Sequence, residues 1–223
     1  MTIRRRYSTI DDLPAELPAF PLSGVLLFPH TRLPLNIFEP RYLAMVDAAM
    51  DGGRLIGMIQ PKVANESAGK KSELFGTGCA GRIVEYSETG DGRYLITLAG
   101  VARFKLAGEL DVTTPYRQIT PDYSAYAKDM DSPGETPIPR DRLLAALKPY
   151  LKERDMKSDW DSIEEAPGEM LVNALAMICP FEPQDKQALL EAPDVMSRAD
   201  ALVTLIEIAN AISPGASGKQ PIH

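Results

Sequence analysis

The sequence predicts an α+β protein in which a β-rich half precedes a helical half. Between Phe20 and Tyr126, short runs of β-branched and aromatic residues alternate with Gly and Pro, as in a small, mostly antiparallel sheet or barrel. Beyond residue 139 the apolar residues recur at helical spacing. At 223 residues with 44% hydrophobic content, the chain can bury a core of ordinary size.

The composition of residues 128–139 marks the boundary between the two halves. The segment KDMDSPGETPIP combines acidic residues, Pro and Gly with almost no apolar side chain, which is typical of an exposed linker. We therefore predict a β subdomain over residues 1–127, a linker over 128–139, a helical bundle over 140–213 and a flexible tail over 214–223.

Strands and one helix are predicted in order along the β half. FPLSGVLLFP (20–29) and RLPLNIF (32–38) have the composition of the first two strands, and their prolines indicate strand ends, edges or bulges. RYLAMVDAAM (41–50) places apolar residues at helical spacing, and GlyGly at 52–53 ends this helix, which should lie against the barrel. RLIGMIQ (54–60) then predicts a buried strand. The apolar helix positions are Leu43, Val46 and Met50.

A hairpin between Val84 and Ile96 is the clearest local feature. The TGDG sequence at its centre supplies residues that tolerate positive φ. A further strand is predicted after Gly100, and PYRQITPDY (115–123) should close the sheet.

Four helices are predicted in the second half. In the first helix, leucines recur at every fourth position, at Leu143, Leu147 and Leu151. The third helix is QDKQALLEA (184–192); Pro183 fits its first turn and Pro193 ends it. Asp194 can cap the fourth. The second helix carries an apolar stripe of Met170, Leu171, Ala174, Leu175 and Ile178. The fourth carries a broad apolar face of Leu202, Leu205, Ile206, Ala209 and Ile212, expected to pack into a bundle within the same chain.

Residues for catalysis or cofactor binding are nearly absent. His30 and His223 are the only histidines and form no zinc-binding spacing, while Cys79 and Cys179 fit buried thiols without a disulfide. The GK pairs in NESAGKKS (65–72) and GASGKQ (215–220) lack the spacing of an ATP-binding loop. The acidic run DWDSIEEAPGE (159–169) fits helix capping. We therefore expect no catalytic residue, no metal and no cofactor.

Two further patterns bear on catalysis and location. Ser217 and Lys219 could form a Ser/Lys dyad, but a lysine in a flexible tail would stay solvated and protonated. Charge also limits the partners, because a net charge of −7 disfavours phosphate backbones and anionic lipid. The sequence shows neither a secretory signal nor a membrane-spanning run, so we expect a cytoplasmic protein.

Several segments resemble the N-terminal domain of Lon proteases. LPAFPLSGVLLFPHTRLPLNIFEPRYLAMVDAAM (17–50) looks like the opening of that domain, with FP dipeptides at Phe20 and Phe28 flanking an apolar run. GTGCAGRIVEY, DGRYLITLAGVARFKL and PFEPQDKQALLEAPDVMSRADALVTLIE are similar to its later hairpin, strand and helices. The resemblance implies a PUA-like β pseudo-barrel with one short helix followed by an α-helical bundle. It identifies a stand-alone member that lacks the family's ATPase and peptidase modules.

The family motif also has a structural explanation. Phe20, Phe28, Ile37 and Phe38 are expected to fill the small barrel. Glu39 and Arg41 straddle Pro40 at a helix start, where they can form an ion pair.

The leading hypothesis is a non-catalytic module that binds polypeptides, with a possible extension to an adaptor in ATP-dependent proteolysis. The alternatives are RNA binding, because PUA-like barrels elsewhere contact RNA, and an independent peptidase. The candidate partner-binding surface is the groove between barrel and bundle, including the polar loop His30, Thr31 and Arg32 beside apolar strand ends. The client and the oligomeric state stay open.

Overall fold

The computed structural model describes residues 7–63, 72–132, 136–156 and 159–212. The chain forms two compact units, one of residues 1–133 with 177–190 and the other of residues 134–176 with 191–223. The boundaries of the subdomains and linker derived from the sequence stay a prediction, and the tail lies outside the described residues.

The first unit contains a six-stranded sheet and two helices, with 3₁₀ turns at Ile10–Asp12 and Ser124–Met130. Its strands are β1 (Leu17–Pro21), β2 (Arg32–Ile37), β3 (Leu55–Pro61), β4 (Leu74–Glu88), β5 (Tyr94–Glu109) and β6 (Arg117–Asp122). Helix α1 (Pro40–Asp51) follows β2, and helix α5 (Pro183–Glu191) comes from the later part of the chain. The second unit contains α2 (Arg140–Glu153), α3 (Trp160–Glu165), most of α4 (Gly168–Ile178) and α6 (Val195–Ile212).

Strand pairing closes most of the sheet into a ring. The strand order is β2-β5-β4-β3-β1-β6, and β5 also pairs with β6. Strand β2 extends the ring beside the first half of β5, which is its one neighbour among the described strands. All pairs are antiparallel except β1 with β3. The predicted α+β class, the mostly antiparallel sheet and its closure by residues 115–123 are confirmed.

The first predicted strand was misplaced. Strand β1 lies at Leu17–Pro21, and residues 22–31 form a loop in which Leu26, Leu27 and Phe28 are buried. The loop leaves the ladder at Gly24, whose φ is 73° and whose N–H donates to Gln60 Oε1 at 2.7 Å. Apolar side chains therefore enter the core from a non-strand segment.

Gly100 does not separate two strands, as the sequence suggested, but lies inside an unbroken β5. Its N–H donates to Thr31 O at 2.9 Å, and its carbonyl accepts from His30 N at 3.1 Å. A Cβ at this position would lie 1.9 Å from Phe28 O. Glycine is needed here because the 28–31 turn packs directly on the strand backbone.

The predicted hairpin is present between β4 and β5, with Gly92 at a φ of 79° in its turn. The predicted helix is α1, and Arg41 Nε bonds Glu39 Oε2 at 2.9 Å as expected.

Phe20, Phe28 and Ile37 are buried, but Phe38 is exposed, so its assignment to the barrel interior was wrong. Leu43 and Met50 are partly buried against the core formed by α1 and the sheet, which contains Val46.

Helix α5 is held against the sheet by buried polar side chains. Gln60 Nε2 donates to Pro183 O at 3.0 Å and to Gln187 Oε1 at 3.1 Å, and Gln187 Nε2 donates to Thr77 O at 3.1 Å. Lys186 Nζ donates to Gly24 O and Met177 O, both at 2.9 Å. Because unpaired polar groups are costly inside a core, these bonds fix how the helix sits on the sheet.

The second unit has apolar faces that differ in part from prediction. Leu143, Leu147 and Leu151 of α2 are buried as expected. In α4 the buried face is rotated: Met170, Ala174 and Ile178 are exposed, and the buried residues are Leu171, Val172, Asn173, Leu175 and Ala176. Asn173 faces inward because its Oδ1 accepts from Arg198 of α6 at 2.7 Å. In α6 the buried residues are Arg198, Ala199, Leu202, Val203 and Ile206, so Ile212 was assigned to the wrong face.

The helix capping predicted for the acidic run at 159–169 is present at α3. Asp159 accepts from the hydroxyl and the N–H of Ser162, which lowers the pKa of its carboxyl. Trp160 lies against the helical unit with Lys148 Nζ 5.2 Å from its ring centre. Cys79 and Cys179 are buried and form no disulfide.

Replacing Gly100 with Ala should lower the free energy of unfolding by at least about 2 kcal/mol, because the new Cβ collides with the Phe28 carbonyl. Urea unfolding followed by far-ultraviolet circular dichroism measures this change. Gly108→Ala on the same strand is the matched control, since a Cβ there meets no atom within 4 Å. Equal effects of the two substitutions would contradict the close packing at Gly100.

Removing the N-cap of α6 should destabilise the protein in a pH-dependent way. Ser197 N donates to Asp194 Oδ1 at 2.7 Å, and this bond lowers the pKa of the carboxyl. Asp194→Ala should lower the free energy of unfolding by about 1 kcal/mol at pH 7. Because the folded-state pKa is depressed, the charge-dependent part is present above the unfolded value of about 3.9 and disappears as pH falls through the folded one.

Urea unfolding of wild type and Asp194→Ala between pH 7 and pH 2.5 tests this sign. Asp194→Ser, which keeps a capping oxygen without the charge, is the control and should be more stable than Asp194→Ala by a margin that does not change with pH, since neither replacement titrates. A gap between wild type and Asp194→Ala that widens on acidification would contradict the prediction.

Candidate functional site

The outward side of strands β2, β5 and β4 forms a shallow depression of about 450 Å³. Side chains alternate across a strand, so Ile96 and Leu98 enter the core while Leu95 and Thr97 point outward. Register places Asn36 opposite Leu95 and Pro34 opposite Thr97. We call this surface the outer sheet face and define it by Arg32, Pro34, Asn36, Val84, Glu85, Leu95 and Thr97.

Two apolar side chains of the hairpin are exposed on or beside this surface. Leu95 is 47% exposed in the depression, and Val84 is 41% exposed at a bulge in the β4–β5 pairing. The bulge leaves Val84 without a register partner between Ile83 and Glu85. Exposed apolar residues grouped beside polar ones are typical of surfaces that bind another macromolecule.

The polar part of the outer sheet face is a linked set of three side chains. Arg32 NH1 lies 2.9 Å from Glu85 Oε1, and the Thr97 hydroxyl donates to Glu85 Oε2 at 2.6 Å. The side chains of Arg32 and Glu85 are 67% and 62% exposed, so water screens the pair. The pair orients two charged groups beside the apolar depression and contributes little to stability.

The three residues predicted as a partner surface occupy different environments. Arg32 is on the outer sheet face. His30 is exposed just before it, in the left-handed backbone region with a φ of 62°. Thr31 is used structurally: its hydroxyl donates to Phe28 O at 2.7 Å and accepts from Phe28 N at 3.2 Å. Of the three, His30 and Arg32 present side chains to solvent.

Sequence reasoning missed Glu85, Leu95 and Thr97. The alternation in YLITLA was visible, since Ile96 and Leu98 share one face of a strand and Leu95 falls on the other. An apolar residue on the face opposite the core residues was the available signal.

Among the described strands, β2 lies at the edge of the sheet, and a proline interrupts its outer side. Pro34 lies at the centre of this edge strand and has no N–H to donate. An incoming strand would lose a ladder hydrogen bond there, so a partner would gain more from side-chain contacts than from extending the sheet.

A second cavity, of about 270 Å³, lies beside the C-terminal end of α1 and includes Asp12, Glu16 and Tyr7. The Asp12 carboxylate accepts from the N–H groups of Ser8 and Thr9, which lower its pKa. The Tyr7 hydroxyl donates to Gly53 O at 2.8 Å. Two of its polar groups therefore serve local structure.

Across residues 7–63, 72–132, 136–156 and 159–212, no group of three or more His, Cys, Asp or Glu side chains could hold a metal ion. The GK-containing segment at 65–72, except Ser72, and the Ser217–Lys219 pair lie outside the described residues. Within the described helices, none is long and apolar enough to cross a membrane.

Comparisons with known proteins agree with the motifs in the sequence. The model of the ATP-dependent protease La (LON) substrate-binding domain family matches residues 16–207. The Lon protease of Escherichia coli (strain K12) is 24% identical over 201 residues, covering 86% of this chain and 24% of that protein. Lon protease 2 of Myxococcus xanthus is 26% identical over 201 residues, covering 88% and 24%. The chain thus spans about a quarter of the length of these relatives.

Two solved structures share the fold. The crystal structure of a Lon N-terminal domain protein from Xanthomonas campestris aligns with a TM-score of 0.59 at 19% identity, covering 85% of this chain and 97% of that one. The N-terminal domain of Mycobacterium avium complex Lon protease aligns with a TM-score of 0.59 at 13% identity, covering 86% and 97%.

Two substitutions should show which residue of the 30–32 segment stabilises the fold and which contributes little to stability. Arg32→Ala should change the free energy of unfolding by less than about 1 kcal/mol, because its ion pair is exposed. Thr31→Val should lower it by about 1–2 kcal/mol, because the Phe28 N–H loses its acceptor. Urea unfolding measures both, and a larger effect for Arg32→Ala than for Thr31→Val would contradict these assignments.

Proposed function

Because this chain belongs to the family of ATP-dependent protease La (LON) substrate-binding domains, we propose that it binds polypeptide segments on its outer sheet face and performs no catalysis itself. The observation that carries the proposal is the apolar depression around Leu95, rimmed by the Arg32–Glu85 pair.

An extended polypeptide segment fits the chemistry of this surface. An apolar client side chain would remove Leu95 and Pro34 from water, which stabilises the complex by about 25 cal/mol for each Å² of apolar surface buried. The Asn36 amide and the exposed Glu85 and Arg32 side chains offer hydrogen-bond donors and acceptors to the client backbone. Such a site recognises apolar side chains in an unfolded segment and can bind segments of different sequence.

The charge of the chain favours a polypeptide over a nucleic acid. With 31 acidic and 24 basic residues, the protein carries a formal net charge of −7, which repels phosphate backbones. The RNA hypothesis would regain support from a salt-dependent RNA mobility shift at low micromolar protein.

The adaptor role and a cytoplasmic location are further parts of this proposal. In the Lon proteases that it resembles, the matching region is about a quarter of the chain. A module that holds a client could deliver it to a separate ATP-dependent protease. Addition of this protein should then accelerate degradation of a bound client by a Lon-type protease, and no client should be cleaved when the protease is left out, with or without ATP.

Leu95→Glu should weaken binding of an unfolded polypeptide at least about tenfold, because it places a charge in the apolar depression. Fluorescence anisotropy with labelled, reduced and carboxymethylated α-lactalbumin measures the dissociation constant. Met170→Glu is the matched control: Met170 is 57% exposed on α4, is not a residue of the outer sheet face, and should leave affinity unchanged.

A second pair of substitutions tests the predicted polar loop. Arg32→Ala combined with His30→Asn should weaken binding while preserving the fold, since Asn tolerates the positive φ of residue 30. Unchanged affinity for this double variant would remove the loop from the site. Unchanged affinity for Leu95→Glu would overturn the outer sheet face as the binding surface.

A further inference from the structure

Tyr86 of β4 and Tyr94 of β5 are in contact across the hairpin. Their ring centroids are 5.1 Å apart, and the ring planes are inclined at 63° to each other. Register explains the contact, because Tyr86 pairs with Ile96 while Tyr94 pairs with Glu88. The two tyrosines are therefore diagonal neighbours on one face of the hairpin, which is within reach of aromatic side chains.

Each of the two phenol groups has a carboxylate beside it. The Tyr86 hydroxyl donates to Glu88 Oε1 at 2.8 Å. A hydrogen bond with Asp47 of α1 raises the pKa of Tyr94, and burial together with the bond to Glu88 raises the pKa of Tyr86. Both hydroxyls therefore keep their protons near neutral pH, and a nearby base can take each proton when the ring loses an electron.

Both rings are held in place by the fold and remain accessible. Tyr86 and Tyr94 are partly buried and pack against the core formed by α1 and the sheet, whereas Glu88 and Asp47 are exposed. The contact with the core keeps the two rings side by side in the folded protein. Their exposed parts admit a small oxidant from solvent.

Two other aromatic contacts lack the chemistry of this pair. Phe20 contacts Tyr42 with ring centroids 4.4 Å apart, and Phe104 contacts Tyr123 at 6.2 Å. A phenol can lose its hydroxyl hydrogen to give a phenoxyl radical, and phenylalanine has no such hydrogen. In the Tyr86–Tyr94 contact both rings can form the radical.

We propose that Tyr86 and Tyr94 are a site of oxidative crosslinking, at which a one-electron oxidant of the peroxide class couples the two rings into dityrosine. Each phenol gives one electron to the oxidant and one proton to its carboxylate or to water. The two phenoxyl radicals then form a carbon–carbon bond between their ortho positions, and the hydrogens on these carbons move as protons to the oxygens and restore both hydroxyl groups. In total the pair loses two electrons and two protons, and the oxygen–oxygen bond of one peroxide is reduced.

The crosslink joins β4 to β5 across the turn that contains Gly92. It closes a loop over residues 87–93, so the two strands of the hairpin that carries Leu95 can no longer separate.

Photoactivated tris(bipyridyl)ruthenium with persulfate is the oxidant for the test, applied to the full chain at low micromolar concentration so that encounters between molecules are rare. Trypsin separates the two tyrosines into the peptides 83–93 and 94–103, because Arg82, Arg93 and Arg103 precede the cleavage sites. Mass spectrometry should find these peptides joined, at the sum of their masses less two hydrogen atoms. Denaturing electrophoresis should keep the oxidised protein at 24.4 kDa.

Tyr86→Phe and Tyr94→Phe should each lower dityrosine fluorescence at least about tenfold, because each leaves one ring that cannot form the radical. Tyr116→Phe is the matched control: Tyr116 is partly buried against the same core, and loss of its hydroxyl should leave the yield unchanged. Circular dichroism checks that the three variants are folded.

Three results would overturn the proposal. The first is a wild type that gives no linked 83–93 and 94–103 peptides, or links these tyrosines to others instead. The second is a wild-type yield of dityrosine in Tyr86→Phe or Tyr94→Phe. The third is dityrosine found only in crosslinked chains of twice 24.4 kDa, which would place the coupling between molecules.

Discussion

The first unit depends on one strand that passes its neighbours without a break. Strand β5 pairs with β2 and β4 along its first half and with β4 and β6 along its second. This continuity requires the backbone at Gly100 to accept the Phe28–Thr31 turn at a distance that no side chain permits. The same contact anchors the start of β2 and therefore the position of Arg32 beside Glu85. Closure of the sheet and the geometry of the outer sheet face therefore both depend on the close packing of the 28–31 turn on Gly100.

A second constraint is polar and lies where α5 meets the sheet. Arg103 of β5 binds Asp129 through Nε at 2.8 Å and through NH2 at 2.9 Å, and its NH1 donates to Leu190 O at 3.0 Å. Burial lowers the pKa of Lys186, whose ammonium group donates to two backbone carbonyls. Hydrogen bonds of this kind select one orientation of a helix, because any slip would leave charged or amide groups unpaired inside the unit.

Local patterns in the sequence predicted much of this architecture. The hairpin, α1 and the leucines of α2 followed from turn chemistry and periodicity, which depend on neighbouring residues. The errors arose where distant segments decide the outcome. From the sequence, Gly100 was interpreted as a break between two strands, whereas in the structure it lets the Phe28 carbonyl approach the strand backbone closely. Asn173 is buried because Arg198 of another helix donates a hydrogen bond to it. Arg32 of the candidate site was recognised from its loop, whereas Leu95 required knowledge of which hairpin face the core occupies.

The position of Trp160 gives the two units separate optical signals. It is the single tryptophan of the chain and lies in α3 of the second unit, whereas all of the eight tyrosines except Tyr150 belong to the first. Indole emission therefore follows melting of the helical unit, while tyrosine absorbance follows mainly the sheet unit. Coincident transitions in the two channels would mean that the units melt as one cooperative body, and separated transitions would assign each its own melting temperature.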